Sequence, residues 1–118
     1  MYDSNNIFAK ILRGEIPCKK VYEDKYVLAF YDINPQVKIH VLVIPKGPFI
    51  DLVDFVKKAS NEEIQGFFKG ITKTAEILNI LDSGFRYLGN NGKNAGQEVA
   101  HLHFHLFGGE KLGKMISK

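Results

Sequence analysis

The chain lacks most of what would set it apart from an ordinary folded protein. It has one cysteine and no tryptophan. A single thiol cannot close an internal disulfide, so the fold must stand on its apolar core. Cys18 has no helix start or cationic cluster around it and reads as a small side chain in or near that core. No stretch reaches the ~20 apolar residues needed to span a bilayer. Nothing at the start resembles a signal peptide: residues 1–6 are largely polar, and the apolar run after them is broken by Lys10 and Arg13. A cytoplasmic protein with no membrane contact is expected. An excess of one charge is missing too. The formal charge is only +3, and the lysines are scattered, with doublets at Lys19-Lys20 and Lys57-Lys58. That argues against a nucleic-acid partner and leaves a weak field favouring a small anion. No repeat, low-complexity tract or linker divides the chain, so residues 1–118 read as one domain.

What is present is the composition of a globular domain, 45% hydrophobic and 25% charged over 118 residues. A chain of this length buries roughly two-thirds of its unfolded surface. Asp3 to Asn6 can all cap a helix, and Ile7, Phe8, Ile11 and Leu12 follow at helical spacing until Gly14 and Pro17 end it. Three strands are expected next, at Val21 to Glu23, Val27 to Tyr31 and Ile39 to Ile44. Asp24-Lys25 and Asn34-Pro35-Gln36 supply the turns. The run Val41 to Ile44 is apolar on both faces, so both should be covered. Ser60-Asn61-Glu62-Glu63 is a capping box. It opens a long helix to about Leu81, whose stripe of Ile64, Phe67, Phe68, Ile71, Ala75 and Leu78 is core. A fourth strand runs from Phe85 to Asn90 and a fifth from Glu98 to Phe107. The order of elements predicts an α+β fold, a five-stranded antiparallel sheet with a short N-terminal helix and one long helix on one side.

All four histidines fall on expected strands. His101, His103 and His105 alternate with Leu102, Phe104 and Leu106, which sets the imidazoles on one face and the apolar residues on the other. Packing gains little from three imidazoles in a row. Two chemistries use such a row: chelation of zinc, or one imidazole acting as nucleophile while its neighbours donate hydrogen bonds to an anion. Residues i and i+4 on a strand stand about 13 Å apart, too far to share one metal, which favours the nucleophile. Glu98, three residues before His101, would lie on the opposite face of a regular strand. Gly92, Ala95 and Gly96 in the loop before the row would leave backbone amides accessible as a nest for phosphate oxygens.

The segment His101-Leu102-His103-Phe104-His105-Leu106-Phe107 resembles the signature of the histidine triad (HIT) family. Asp32-Ile33-Asn34-Pro35-Gln36, His40-Val41-Leu42-Val43-Ile44-Pro45-Lys46, Asn90 with Gly96-Gln97, and the opening Ile7 to Pro17 are similar to its nucleotide-binding branch. This resemblance covers nearly the whole chain. It implies a homodimer with a ten-stranded sheet that hydrolyses purine nucleoside phosphoramidates and related nucleoside monophosphate derivatives, without a metal or other cofactor. By motif position His103 is the nucleophile, His105 contacts the phosphate, and His101 and His40 complete the polar network. Asp32 would hold the ribose, while Ile7, Phe8, Ile11, Phe30 and Ile33 would enclose the base. Asn90, Gly96, Gln97 and Glu98 would line the phosphate and leaving-group side. Where some members carry Ser, this chain has Glu98, and its tail after Gly109 carries no Trp. Two other readings stand beside this one: a zinc hydrolase using His101, His103 and His40, and a nucleotide-binding regulatory module with little turnover.

Overall fold

The computed structural model describes residues 1–116. Asn6 caps α1 (Ile7–Leu12), its side chain accepting from the Ala9 amide. Two strands follow, β1 (Lys20–Glu23) and β2 (Val27–Tyr31). Asp24 makes the turn between them by accepting from both the Tyr26 and Val27 amides. Next comes β3 (Ile39–Pro45) and then α2 (Leu52–Lys58), a helix the apolar periodicity did not reveal. Its signal was the cap: Asp51 accepts from the Asp54 amide.

The capping box at Ser60 and Glu63 opens α3 (Asn61–Ile77) as expected. This helix stops about four residues short of the expected Leu81. Asn79 takes a left-handed conformation, with φ at 60°. The Ile80 amide then turns back to the Ala75 carbonyl and the Asn79 amide to Glu76. That is the two-bond closure that satisfies the last carbonyls of a helix, with Asn in the place Gly usually takes. The last two strands are β4 (Arg86–Gly89) and β5 (Phe104–Gly108).

The five strands form one antiparallel sheet in the order β1-β2-β3-β5-β4. Val27, Ala29, Val41, Val43 and Leu106 point to one face and are buried with Phe55, Phe67 and Ile71 of the helices. Gly66 and Gly70 of α3 lie one turn apart where the helix crosses β2. A Cβ on either would come within 2.6 Å or less of Tyr26 or Val27, so the two glycines allow the close approach. Leu28, Phe30, Leu42 and Ile44 point to the other face, where Phe8 of α1 covers them. The helices therefore lie on both sides of the sheet rather than one, which explains why Val41 to Ile44 is apolar throughout. Among the described residues, no helix is long and apolar enough to cross a membrane.

The largest departure concerns the fifth strand, expected from Glu98. Regular pairing begins only at Phe104, where β4 ends with Gly89 opposite it; β3 runs on two residues past its partner Val43 to Pro45 but pairs there only with β2. His101 and His103 thus precede the strand instead of lying on it. Their segment is held by other means, beginning with the Leu102 amide on the Phe49 carbonyl.

Candidate active site

The alternation survives the loss of regular pairing. Leu102, Phe104 and Leu106 pack with the α3 face, and the three histidines turn to the α1 face. There the His103 and His105 rings lie 5.2 Å apart and Phe8 meets His103 edge-on at 5.0 Å. A cavity of about 550 Å³ opens beside them. Ile7, Phe8, Ile11, Phe30 and Ile33 line it, as do Asp32, Asn90, Gly96, Glu98, His103 and His105. Its apolar arm also includes Ile16, Pro17, Cys18, Leu42 and Val99, which periodicity alone could not assign to a cavity.

Hydrogen bonds order the protons of this network. His103 Nδ1 lies 2.8 Å from the carbonyl oxygen of His101, an atom that can only accept. Nδ1 therefore carries the proton, and Nε2 holds a free lone pair. In the same network, the Gln36 amide donates to His40 Nδ1 at 3.2 Å, so His40 carries its proton on Nε2. That proton is directed to His105 Nδ1, 2.9 Å away, with Asp32 Oδ2 at 3.4 Å. His105 is left with its proton on Nε2, as a donor. The network delivers one lone pair at His103 and one N–H at His105, side by side. His101 is fully buried and takes no part in the cavity wall. Its Nε2 donates to the Pro45 carbonyl at 2.9 Å, and the Tyr2 hydroxyl donates to its Nδ1 at 2.6 Å. Nothing in the sequence pattern pointed to Tyr2.

Burial keeps these imidazoles neutral. Desolvation pushes His101 down to about 4, against the opposing pull of the Pro45 carbonyl. It does the same to His105, helped by His103 and His40 and opposed by Asp32. His103 is also lowered by burial, with the His101 carbonyl, Asp32 and Glu98 pulling it back. His40 follows the same pattern, opposed by Asp32 alone. At neutral pH the site thus presents an unprotonated imidazole at His103.

Three positions differ from expectation. Glu98 lies in the cavity wall with His103, because the irregular backbone before Phe104 cancels the strand alternation that would have turned it away. Gln97 does not line the cavity. It clamps the preceding loop, accepting from the Gly92 amide and donating to the Ile50 and Val99 carbonyls. The loop amides expected to form an anion nest are already in use. Lys93–Ala95 is a turn of 3-10 helix, the Gly96 amide donates to Lys93, the Ala95 amide to Gly92, and the Gly92 amide to Gln97.

The zinc set suggested by spacing is not assembled, since His101 has both ring nitrogens engaged. Asp32, His40 and His105 do bring their ligand atoms within 4.8 Å of one another. A metal there would need the lone pair of His40 Nε2, the nitrogen that the Gln36 amide obliges to carry the proton. This trio fits a hydrogen-bond relay better than a metal site.

Residues 13–112 match the HIT domain family. A HIT-like protein of Azospirillum brasilense, uncharacterised, is 53% identical over 99% of this chain and 96% of its own length. The purine nucleoside phosphoramidase of Escherichia coli is 43% identical, with 94% of this chain and 92% of that protein covered. Among solved structures, a HIT family hydrolase from Clostridium thermocellum superposes with a TM-score of 0.83 at 40% identity, covering 98% of this chain and 99% of that one.

Proposed function

From membership of the HIT domain family, to which the chain belongs, we propose that it is a cytoplasmic, metal-independent hydrolase of purine nucleoside phosphoramidates and related nucleoside monophosphate derivatives, one HIT domain over residues 1–118. The observation that carries this reading is the bond from His103 Nδ1 to the His101 carbonyl, which leaves Nε2 as a lone pair beside a cavity of nucleotide size. In the first step Nε2 attacks phosphorus, the P–N bond breaks, and the departing amine takes up a proton. In the second, water attacks the nucleotidyl-His103, the bond from phosphorus to Nε2 breaks, and a nucleoside monophosphate leaves with the imidazole neutral again. The His105 N–H faces the charge that builds on the phosphoryl oxygens, and His40 holds His105 in that state. Asp32 takes the ribose hydroxyls, and the apolar arm from Ile7 to Ile33 takes the base. Asn90, Gly96 and Glu98 face the phosphate and leaving group, with Gln97 fixing their loop. Turnover of a fluorogenic adenosine phosphoramidate, unchanged by chelator, is the expected result. Binding of the nucleotide with no turnover would leave only the regulatory module.

The same reading includes a homodimer joined at β4. The two sheet edges differ in character. The β1 edge carries a bulge and the ion pairs of Glu23 with Lys20 and Lys46, features that discourage pairing. The β4 edge offers Tyr87, 64% exposed, and Phe68 of α3 stands half exposed near the end of the same edge, against Phe104. Light scattering at micromolar concentration should give twice the 13.3 kDa of one chain. A monomer would end this part of the proposal.

A further inference from the structure

The charges around the cavity are lopsided. Among the described residues, its wall holds two carboxylates, Asp32 and Glu98, and no lysine or arginine. A site for a phosphoryl group without a basic side chain has to meet that group with neutral donors, and burial keeps His103 and His105 neutral at pH 7. The carboxylates enter from opposite ends of the sheet. Asp32 follows β2 and bonds through its amide to His40, which pairs with Phe107. Glu98 comes from the connection between β4 and β5, on the side where Gly89 pairs with Phe104. The histidines stand between them. A nucleoside seated on the apolar arm with its ribose at Asp32 leaves Glu98 to face the group that departs from phosphorus.

The geometry points to Glu98 as a charge selector: this site favours phosphoramidates whose leaving amine bears a second, cationic group over those with neutral or anionic leaving groups. The inference rests on the phosphoramidase reading and adds the class of leaving group. An anionic phosphoryl group near an exposed carboxylate is repelled by it. A cation carried between the two turns that repulsion into two attractions. The effect continues through the chemistry. As the P–N bond breaks, its electron pair departs with the nitrogen, which takes one proton from solvent to become the free amine and a second to become ammonium next to Glu98. Uptake of positive charge is thus favoured on the side where the leaving group forms. The carboxylate is solvent-exposed, so each step in leaving-group charge should be worth about three- to fivefold.

Three adenosine phosphoramidates of matched length test this, made from a diamine, a simple alkylamine and an amino acid bound through its amine. In the wild-type protein kcat/KM should fall in that order, and the spread should shrink as ionic strength rises. Glu98→Gln should bring the three values together. Dissociation constants of the same compounds for His103→Ala supply a second readout that needs no turnover. Equal values for all three in both measurements, or an order that persists in Glu98→Gln, would overturn the charge selector. Hydrolysis of none of them by the wild-type protein would defeat the phosphoramidase reading instead, and the dissociation constants would then decide the selector alone.

Discussion

The two faces of the sheet are held by different kinds of force, although one short segment serves both. On the α3 face, Leu102, Phe104 and Leu106 join a core of aromatic and branched side chains in which Phe55, Phe67 and Leu106 are wholly buried. On the α1 face, His101, His103 and His105 make directed bonds whose donors and acceptors follow one another in order. Apolar packing tolerates exchange of shape, whereas a proton-ordered network fails when one member is wrong. Apolar packing and the directed polar network are therefore separated by parity along residues 101–106.

The strongest way to break this separation is at His103. His103→Ala should lower turnover by several orders of magnitude while the folded state and nucleotide binding persist, read by steady-state kinetics, circular dichroism and calorimetry. Rapid quenching of the wild-type protein should trap the nucleotide on His103. An adduct mapped to His101 or His105 would place the nucleophile elsewhere.

Phe67→Ala probes the opposite face. Loss of this buried ring should cost about 3–5 kcal/mol in urea unfolding, with turnover per folded molecule unaltered. A parallel loss of kcat would show that the faces are coupled.

A third test uses protons. His101 is buried and titrates at about 4 in the folded chain, below its ordinary 6.5. The unfolded chain binds the proton first as pH falls, so stability is complete above about 6.5 and declines toward 4. The shift corresponds to about 3 kcal/mol. Denaturation midpoints measured between those pH values should drop, and less steeply in His101→Asn. A flat profile in the wild-type protein would contradict the burial described here.

Asp32→Ala is the mildest change. It should weaken ribonucleotide binding by about 1.5–3 kcal/mol and deoxyribonucleotide binding far less. Asp32 also accepts from the Asn34 amide, so the substitution loosens the turn for both ligands. The comparison removes that common part, and equal losses would assign Asp32 to the turn alone.

Much of this was legible in the sequence because it depends on local periodicity. The capping box and the alternation of histidine with apolar residues survive in the structure, and so does the α3 stripe except at Phe68, which the sequence placed in the core and which is 46% exposed. The errors arise where partners distant in sequence decide. The fifth strand is short because β4 ends beside Phe104 while the rest of β3 pairs only with β2, and α2 is short enough that only its Asp51 cap marks it. The phosphate nest failed for another reason: Gly and Asn in a loop allow accessible amides, but the Gln97 side chain and the turn at Lys93 had already claimed them. The pairing of Tyr2 with His101 is a tertiary fact with no pattern to announce it, and that of Gln36 with His40 follows from the path of the turn between β2 and β3, which no periodicity marks.

The acceptor that fixes the His103 ring is a main-chain carbonyl, and this has a consequence for how the site can change over generations. No substitution can delete that atom. A mutational survey of position 101 would measure how well each side chain holds the backbone in place between Pro45 and Tyr2, and only indirectly how each affects catalysis. The feature that sets the His103 tautomer is thus not encoded by any single side chain, so it can be lost through displacement but never through replacement.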